Sequence, residues 1–361
     1  MVAAALETTS DYPERLFSSK LLQWFDLYGR KDLPWQHNPS AYRVWVSEVM
    51  LQQTQVSTVI PYYQRFMASF PDLKSLAGAT EDQVLHHWSG LGYYARARNL
   101  HKTAKLLTVT LDGNFPESLE ALETLPGIGR STAGAICAIA YQKTAPILDG
   151  NVKRVLARHE AINGWPGASA TTKILWKIAE KHTPKERTAD YTQAIMDLGA
   201  TLCTRTKPRC QECPIKADCK SFNAGNPESY PSKKPTKKIP TRTCFFLMIL
   251  NSSGEFLLQK RPSKSLWGGL WAFPQCDHEK DISIVCEQLN QPAKSWAILS
   301  AKRHTFSHFY LDYQPVMIEC YPQSALMDKQ DTLWYNPDTP LEIGIAKPIA
   351  SLLGEIKRKR G

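Results

Sequence analysis

No run of apolar residues in this chain is long enough to cross a membrane, so no membrane-spanning helix is expected. The opening stretch MVAAALETTSDYPE has neither a basic region nor a full apolar core. It therefore predicts no secretory signal and a cytoplasmic protein. Before residue 240 no stretch keeps up a period-two alternation, so strands are not expected there. Internal repeats are absent as well. A fully disulfide-paired framework is disfavoured, because nine cysteines is an odd count and four of them crowd between 203 and 219. In a cytosolic chain that crowding points to a metal site.

What is present suggests a large, basic, multidomain protein. At 361 residues, 43% of them hydrophobic, the chain can bury more than one core. Its balance of 44 Lys+Arg against 34 Asp+Glu gives +10, which suits a polyanionic partner such as nucleic acid. Leu21, Trp24, Phe25 and Tyr28 mark one amphipathic helical face, and Val56, Val59, Ile60, Tyr63, Phe66 and Met67 mark another. Pro61 interrupts the second run and is expected in a first turn or at a kink. Thr80 with Gln83 predicts a capping box. Between Asn226 and Pro240, four prolines alternate with Lys233, Lys234, Lys237 and Lys238, the composition of an extended linker. Beyond it, TCFFLMIL and EFLLQKR flank Asn251-Ser252-Ser253-Gly254, a hairpin pattern. Strand-like runs follow at Thr305–Tyr313 and Pro315–Tyr321, and a helix with the basic tail Lys357–Arg360 ends the chain. Residues 1–225 thus read as helical, 226–241 as linker and 242–361 as an α/β domain.

Two local patterns carry chemistry. In LPGIGR (Leu125–Arg130) a sharp turn calls for Gly127 and Gly129, since positive φ is costly for other residues. The helix expected from about Ser131 then points backbone N–H groups outward, and such groups bind a phosphate without reading sequence. Cys203, Cys210, Cys213 and Cys219 follow with spacing C-x6-C-x2-C-x5-C. Four thiolates in one short segment can wrap a single tetrahedral ion or one iron–sulfur cube, and spacing leaves zinc open.

The glycine turn, Asp149 some twenty residues on, and the four cysteines resemble, in that order, the helix-hairpin-helix DNA glycosylases that carry a [4Fe–4S] cluster. SEVMLQQTQV (Ser47–Val56), GLGYYARARNL (Gly90–Leu100) and ILDGNVKRVLAR (Ile147–Arg158) are similar to the adenine DNA glycosylases of MutY type. The likeness continues through LWGGLWAFP (Leu266–Pro274) and HTFSHFYLD (His304–Asp312), covering nearly the whole chain.

The resemblance implies a helix-hairpin-helix catalytic domain, with a six-helix part at about 35–141 and an iron–sulfur part from 1–34 and 142–225. A Nudix-like domain would follow over 242–361. It implies a monomer acting on double-stranded DNA, removing adenine mispaired with 8-oxoguanine or guanine to leave an abasic site. It also implies Cys203, Cys210, Cys213 and Cys219 as ligands of a [4Fe–4S] cofactor.

Such chemistry needs an acid at the purine and an anion at the sugar, as in sugar hydrolases. Glu48 lies among Trp45, Val46, Val49 and Met50, where desolvation should raise its pKa and suit it as general acid. By resemblance it protonates adenine N7. Asp149, at a helix start, should be kept ionised by N–H dipoles; Asn151 would support it by hydrogen bonding. Related lyases place a lysine at the position of Ser131, and a serine cannot form a Schiff base, so a monofunctional glycosylase is expected. Lys153 could trap an abasic product, but its expected partner is a phosphate.

Gln52 or Gln53, with Gln53 preferred, would wedge into the stack the adenine leaves, and Tyr93 would be the partner wedge. Leu33, Trp35 and Val56 are pocket-wall candidates, with core packing the alternative. Arg96 and Arg98 are expected at phosphates. In the second domain QCDHEKDISIVCEQ lacks the glutamate series of a Nudix hydrolase, so pyrophosphatase activity is not expected. Phe306, Ser307 and His308 match the family's 8-oxoguanine recognition loop. The competing readings are an endonuclease III-like lyase on oxidised pyrimidines, disfavoured by Ser131, and an idle damage-binding protein, disfavoured by Glu48 with Asp149.

Overall fold

The computed structural model describes residues 12–235, 238–321 and 331–360. Most of the amino-terminal stretch read for a targeting signal, and Lys237 of the linker, lie outside them. The chain forms two compact units, Met1–Ala77 with Lys102–Pro235, and Gly78–His101 with Thr236–Gly361.

Up to residue 235 every regular element among the described residues is helical. In chain order these are α1 (Tyr12–Tyr28), α2 (Ala41–Leu51), α3 (Val56–Ser69), α4 (Leu73–Gly78), α5 (Glu81–Trp88) and α6 (Ala95–Thr110). Then come α7 (Leu119–Glu123), α8 (Arg130–Tyr141), α9 (Gly150–His159), α10 (Ser169–His182), α11 (Thr188–Thr201) and the short α12 (Lys220–Asn223). Local signals account for several starts. Ser40 caps α2 by accepting from the Arg43 N–H, and Thr80 and Gln83 form the expected capping box at α5. In the first unit α8 is central: it packs on α2, α7 and α11, while α11 also meets α9 and α1. Gly134 permits one close approach there, since a Cβ on it would lie 2.3 Å from the Pro146 carbonyl oxygen. That contact seats the 146–149 strand of chain against α8.

Two expectations about helix faces need correction. Leu21 and Phe25 are buried, but Tyr28, the last residue of α1, is 71% exposed. Pro61 sits in the second turn of α3, inside the helix and beyond the first turn. There it removes one N–H and so one intrahelical bond.

The second unit is built on an eight-stranded sheet. Its strands are β1 (Thr241–Leu250), β2 (Phe256–Lys260), β3 (Trp271–Ala272), β4 (Gln275–Cys276), β5 (Ala293–Ile298), β6 (Lys302–Thr305), β7 (Tyr310–Cys320) and β8 (Thr332–Tyr335). The path runs β3-β2-β1-β7-β5, with β1 and β7 parallel over their length. The β1–β2 hairpin is as expected, and Asn251 Oδ1 holds its turn by accepting from the Ser253 and Glu255 N–H groups. Helix α13 (Ile282–Gln288) covers one face, burying Ile282 and Cys286 against Leu247, Ile249, Val316 and Ile318. Its one carboxylate is Glu287. Helix α14 (Lys347–Arg360) ends the described chain, and Lys302 on β6 pairs with its Glu355.

The strand break falls at 306–309 and not before Pro315. Pro315 lies within β7, opposite Phe246, and its carbonyl still accepts from the Leu299 N–H at 2.8 Å. Residues 78–101 belong with this sheet through specific contacts. Asp82 accepts from Lys260 Nζ and from Trp271 Nε1, both at 3.0 Å, and Arg98 donates to the carbonyls of Ser263 and Gly268. Arg98 is thereby engaged by backbone, which differs from the expected phosphate contact.

Candidate active site

The first unit carries a cleft of about 1320 Å³. Its wall includes Leu33, Trp35 and Val56, the polar run Gln52–Gln55, the start of α8 from Gly129 to Thr132, and Glu48 facing Asp149 and Asn151. Leu33 and Trp35 are also nearly buried, so they form both core and pocket wall. Trp35 meets the Tyr63 ring edge-on at 5.5 Å.

Glu48 stands on α2 between buried Val46, Ser47, Val49 and Met50. Burial, and then the charge of Asp149, push its pKa up to about 8. Asp149 caps α9, with Oδ1 accepting from the Val152 N–H at 2.8 Å. Here the sequence expectation is corrected. Burial outweighs the helix terminus, and the Asp149 pKa is raised despite the Val152 and Asn151 N–H groups, Arg154 and Lys153, which all act to lower it. A helix terminus contributes modestly when exposed, whereas desolvation of a carboxylate can shift a pKa by several units. Of the two carboxyls, only Asp149 has these anion-stabilising partners; the causes acting on Glu48 all raise its pKa.

Ser131 fixes the backbone beside them, its Oγ accepting from the Leu148 N–H at 3.0 Å. The Asn151 side chain does not bond to Asp149; its Oδ1 accepts from Arg154 at 2.8 Å. In the glycine turn Gly127 has φ +80°, as expected. Gly129 does not need positive φ. It is the N-cap of α8 at φ −94°, and a Cβ on it would meet nothing within 4 Å. No side chain caps α8, so its first N–H groups line the cleft beside open space. Leu125 is buried, so only its backbone can face a ligand. Lys153 is not part of the cleft wall.

Gln52 and Gln53 end α2 differently. Gln52 donates to Thr132 Oγ1 at 3.4 Å, whereas Gln53 is exposed with φ +58° and stands out from the helix end.

Around residue 203 a second cavity is lined by all four cysteines with Leu198, Leu202, Ile215 and Phe222. All four are free thiols. Arg158, itself buried, donates to Cys203 Sγ at 3.3 Å and to the carbonyls of Thr204, Arg205 and Tyr230. Burial raises the thiol pKa of Cys203, Cys210 and Cys213, the last to about 12. A metal that takes thiolates would reverse that, and the Arg158 cation would offset the surplus negative charge. One zinc with bonds of about 2.3 Å needs sulfurs within about 4 Å of one another. Among the described residues the close ligand cage, with atoms within 4.8 Å, is His159–Glu160–His182 and not the cysteines.

Residues 46–181 match the HhH-GPD superfamily of base excision DNA repair proteins, and residues 245–355 match the NUDIX domain family. An adenine DNA glycosylase of Buchnera aphidicola (subsp. Baizongia pistaciae) is 40% identical, over 95% of this chain and 97% of that protein. The chain belongs to the adenine DNA glycosylase family. The human adenine DNA glycosylase is 35% identical, over 82% of this chain and 66% of its own length. A thermostable thymine-DNA glycosylase shares the fold of 60% of the chain, with TM-score 0.54 at 24% identity. The protein is accordingly a base excision repair glycosylase with DNA as its partner.

In the second unit Phe306, Ser307 and His308 form the turn between β6 and β7, closed by the Phe306 N–H donating to the Phe309 carbonyl at 3.0 Å. Phe306 stacks on buried Phe309 at 4.4 Å and meets His304 edge-on at 4.6 Å. Ser307 and His308 are exposed at the tip, with Ser307 Oγ 3.3 Å from His308 Nδ1. Tyr93 is 47% exposed with φ +51°, on a turn where Gly90 and Gly92 also have positive φ. Arg96 turns back to the Gly92 carbonyl and lies over the Trp88 and Tyr93 rings.

Sequence reasoning missed several cleft residues. Arg30 grips buried Asp197 through its Nε, Nη2 and backbone N–H, and Arg130 lies 4.0 Å over the Trp176 ring. Arg154 joins Asn151 to the carbonyls of Gly199 and Cys203. A signal for Arg154 and Arg158 existed: with Asn151 they recur at helical spacing in NVKRVLAR.

Proposed function

We infer that this protein is a monofunctional hydrolase that cuts the N-glycosidic bond of adenine opposite 8-oxoguanine or guanine in duplex DNA. The observation that supports this reading is the carboxyl pair, Glu48 with its pKa pushed up to about 8 by burial and Asp149 held at the start of α9. Glu48 donates its proton to adenine N7, so the base leaves neutral. Asp149 stabilises the oxocarbenium-like sugar, and Val152 and Asn151 N–H groups with Arg154 favour its anion. Glu48 then draws a proton from the attacking water. Ser131 offers no amine, so the abasic site is left uncut. Lys153 takes a phosphate.

The uncapped start of α8, behind Gly127 and Gly129, binds a DNA phosphate. Gln53 fills the stack vacated by the flipped base, with Tyr93 beside the opposing base, and Leu33, Trp35 and Val56 wall the adenine pocket. Cys203, Cys210, Cys213 and Cys219 hold a [4Fe–4S] cluster that braces the loop after α11, with Arg158 as its buried counter-charge. Ser307, between Phe306 and His308, reads the N7–H or O8 of 8-oxoguanine. The enzyme works as a monomer on chromosomal DNA in the cytoplasm.

The test is a duplex with adenine opposite 8-oxoguanine, analysed for strand breaks before and after alkali. Breaks only after alkali are expected. Breaks before alkali would make the protein a lyase, and none at all would leave a binding protein.

A further inference from the structure

Three metal-ligating side chains outside the cleft, beside the four cysteines, come together where two helices end. His159 is the last residue of α9, Glu160 is its C-cap, and His182 is the last residue of α10. Glu160 Oε1 lies 2.9 Å from His159 Nδ1 and 3.7 Å from His182 Nε2, and all three ligand atoms fall within 4.8 Å of one another. Both imidazoles are buried, and Phe17 walls them, stacked on His182 at 4.2 Å and edge-on to His159 at 4.8 Å.

We propose that His159, Glu160 and His182 form a binding site for one divalent transition-metal ion of the zinc class. Tetrahedral bonds of about 2.0–2.1 Å set neighbouring ligand atoms roughly 3.4 Å apart. The observed 2.9 and 3.7 Å bracket that spacing, and the third edge lies within 4.8 Å, so closure draws the two ring nitrogens together by side-chain movement. Two imidazole nitrogens and a carboxylate oxygen are a donor set for zinc, with water completing the fourth position. The negative ends of two helix dipoles converge on the site and favour a cation. Lys220 Nζ, 2.6 Å from Glu160 Oε2, occupies the outer carboxylate oxygen and leaves Oε1 turned to the histidines.

In the metal-free protein both rings must share that one oxygen. The ion replaces the shared contact, and the ring hydrogens shift to His159 Nε2 and His182 Nδ1. Those two nitrogens are buried without a hydrogen-bond partner. A ligating histidine normally has an outer partner, and its loss weakens binding roughly 10–100-fold. The site is therefore expected to be a moderate one, filled and emptied with metal supply. An occupied site would tie α9 to α10 beside the cysteine cavity, which His159 also lines.

The test uses tag-free holoprotein titrated with zinc sulfate. One zinc per chain should bind with iron content unchanged, and the melting temperature should rise by roughly 5 °C at a hundredfold excess over Kd, reversed by EDTA. Zinc-edge X-ray absorption should show only nitrogen and oxygen neighbours, with imidazole scattering. His182→Gln should abolish the rise while retaining iron. No zinc-dependent shift, a rise that persists in His182→Gln, or a sulfur shell near ~2.3 Å would each overturn the proposal. If the variant does not fold, the absorption spectrum of the unaltered protein decides alone.

Discussion

At the scale of single residues, the strongest constraint is that burial raises the pKa of both facing carboxyls, while only Asp149 has N–H groups and cations acting to lower it. Glu48 has no cationic partner among the causes of its shift, only burial and the charge of Asp149, and its pKa rises from 4.5 to about 8. Two consequences can be measured. For catalysis, the single-turnover rate of adenine release should fall as pH rises through about 8, because the proton donor is lost. For stability, the sign follows from linkage: the folded state binds this proton more tightly than the unfolded chain. The stabilisation is complete below the unfolded pKa near 4.5 and is lost as pH rises toward 8. Glu48→Gln should therefore abolish excision, retain mismatch binding, and gain stability relative to the parent between pH 5 and 8, with the gap flat above. A urea-unfolding series across that range checks it; a gap that shrinks as pH rises would contradict a buried, protonated Glu48.

Residue by residue, legibility in the sequence depended on whether a role follows from local context. The apolar neighbours of Glu48 announced its raised pKa. Asp149 was legible as a helix cap, but not the direction of its shift, because that depends on burial by segments far away in sequence. Gly127 was legible as a left-handed turn residue, while Gly129 next to it proved extended. Arg30 was silent, since its partner Asp197 lies 167 positions away.

At the scale of elements, the glycine turn and the β6–β7 turn perform separable tasks. Gly127 holds φ +80° ahead of the bare start of α8, and left-handed backbone costs a side-chain-bearing residue about 1–2 kcal/mol. Gly127→Ala should weaken DNA binding roughly tenfold for matched and mismatched duplexes alike, seen in fluorescence anisotropy, because a phosphate contact carries no sequence information. Ser307 sits at the exposed tip of a turn whose base carries the Phe306–Phe309 stack. On the proposed role of Ser307, Ser307→Ala should remove one hydrogen bond to the opposing base, worth about 1 kcal/mol or somewhat more. Excision opposite 8-oxoguanine should slow severalfold, with excision opposite guanine unchanged. Equal losses on both substrates would move recognition elsewhere. Helices and the first hairpin were legible because their periodicity and caps are local. The unbroken β7 was not, since Pro315 suggested a break that its parallel pairing with β1 tolerates.

At the scale of the whole molecule, the proposed function puts chemistry and discrimination in different units. Glu48, Asp149, the α8 start and the four cysteines all lie in the first. The Phe306–His308 turn lies in the second, together with residues 78–101. A chain ending at residue 235 would retain the carboxyl pair and lose the proposed 8-oxoguanine reader. It would also strip Asp82 of Lys260 and Trp271, and Arg98 of the Ser263 and Gly268 carbonyls; the ion pair, each side chain 25% exposed, contributes only about 0–1 kcal/mol, and each hydrogen bond about 1 kcal/mol. The helical part should therefore survive the truncation with a lowered melting temperature. The prediction is that residues 1–235 still excise adenine from A:G duplexes within about tenfold of the full chain, while the preference for 8-oxoguanine over guanine collapses, since a site rejects an analogue only through the group built to bind it. Single-turnover kinetics on both duplexes measure the ratio directly. A fragment that keeps the full preference would place recognition in the helical unit, and one that loses activity on both duplexes while remaining folded would make the second unit part of the catalytic apparatus.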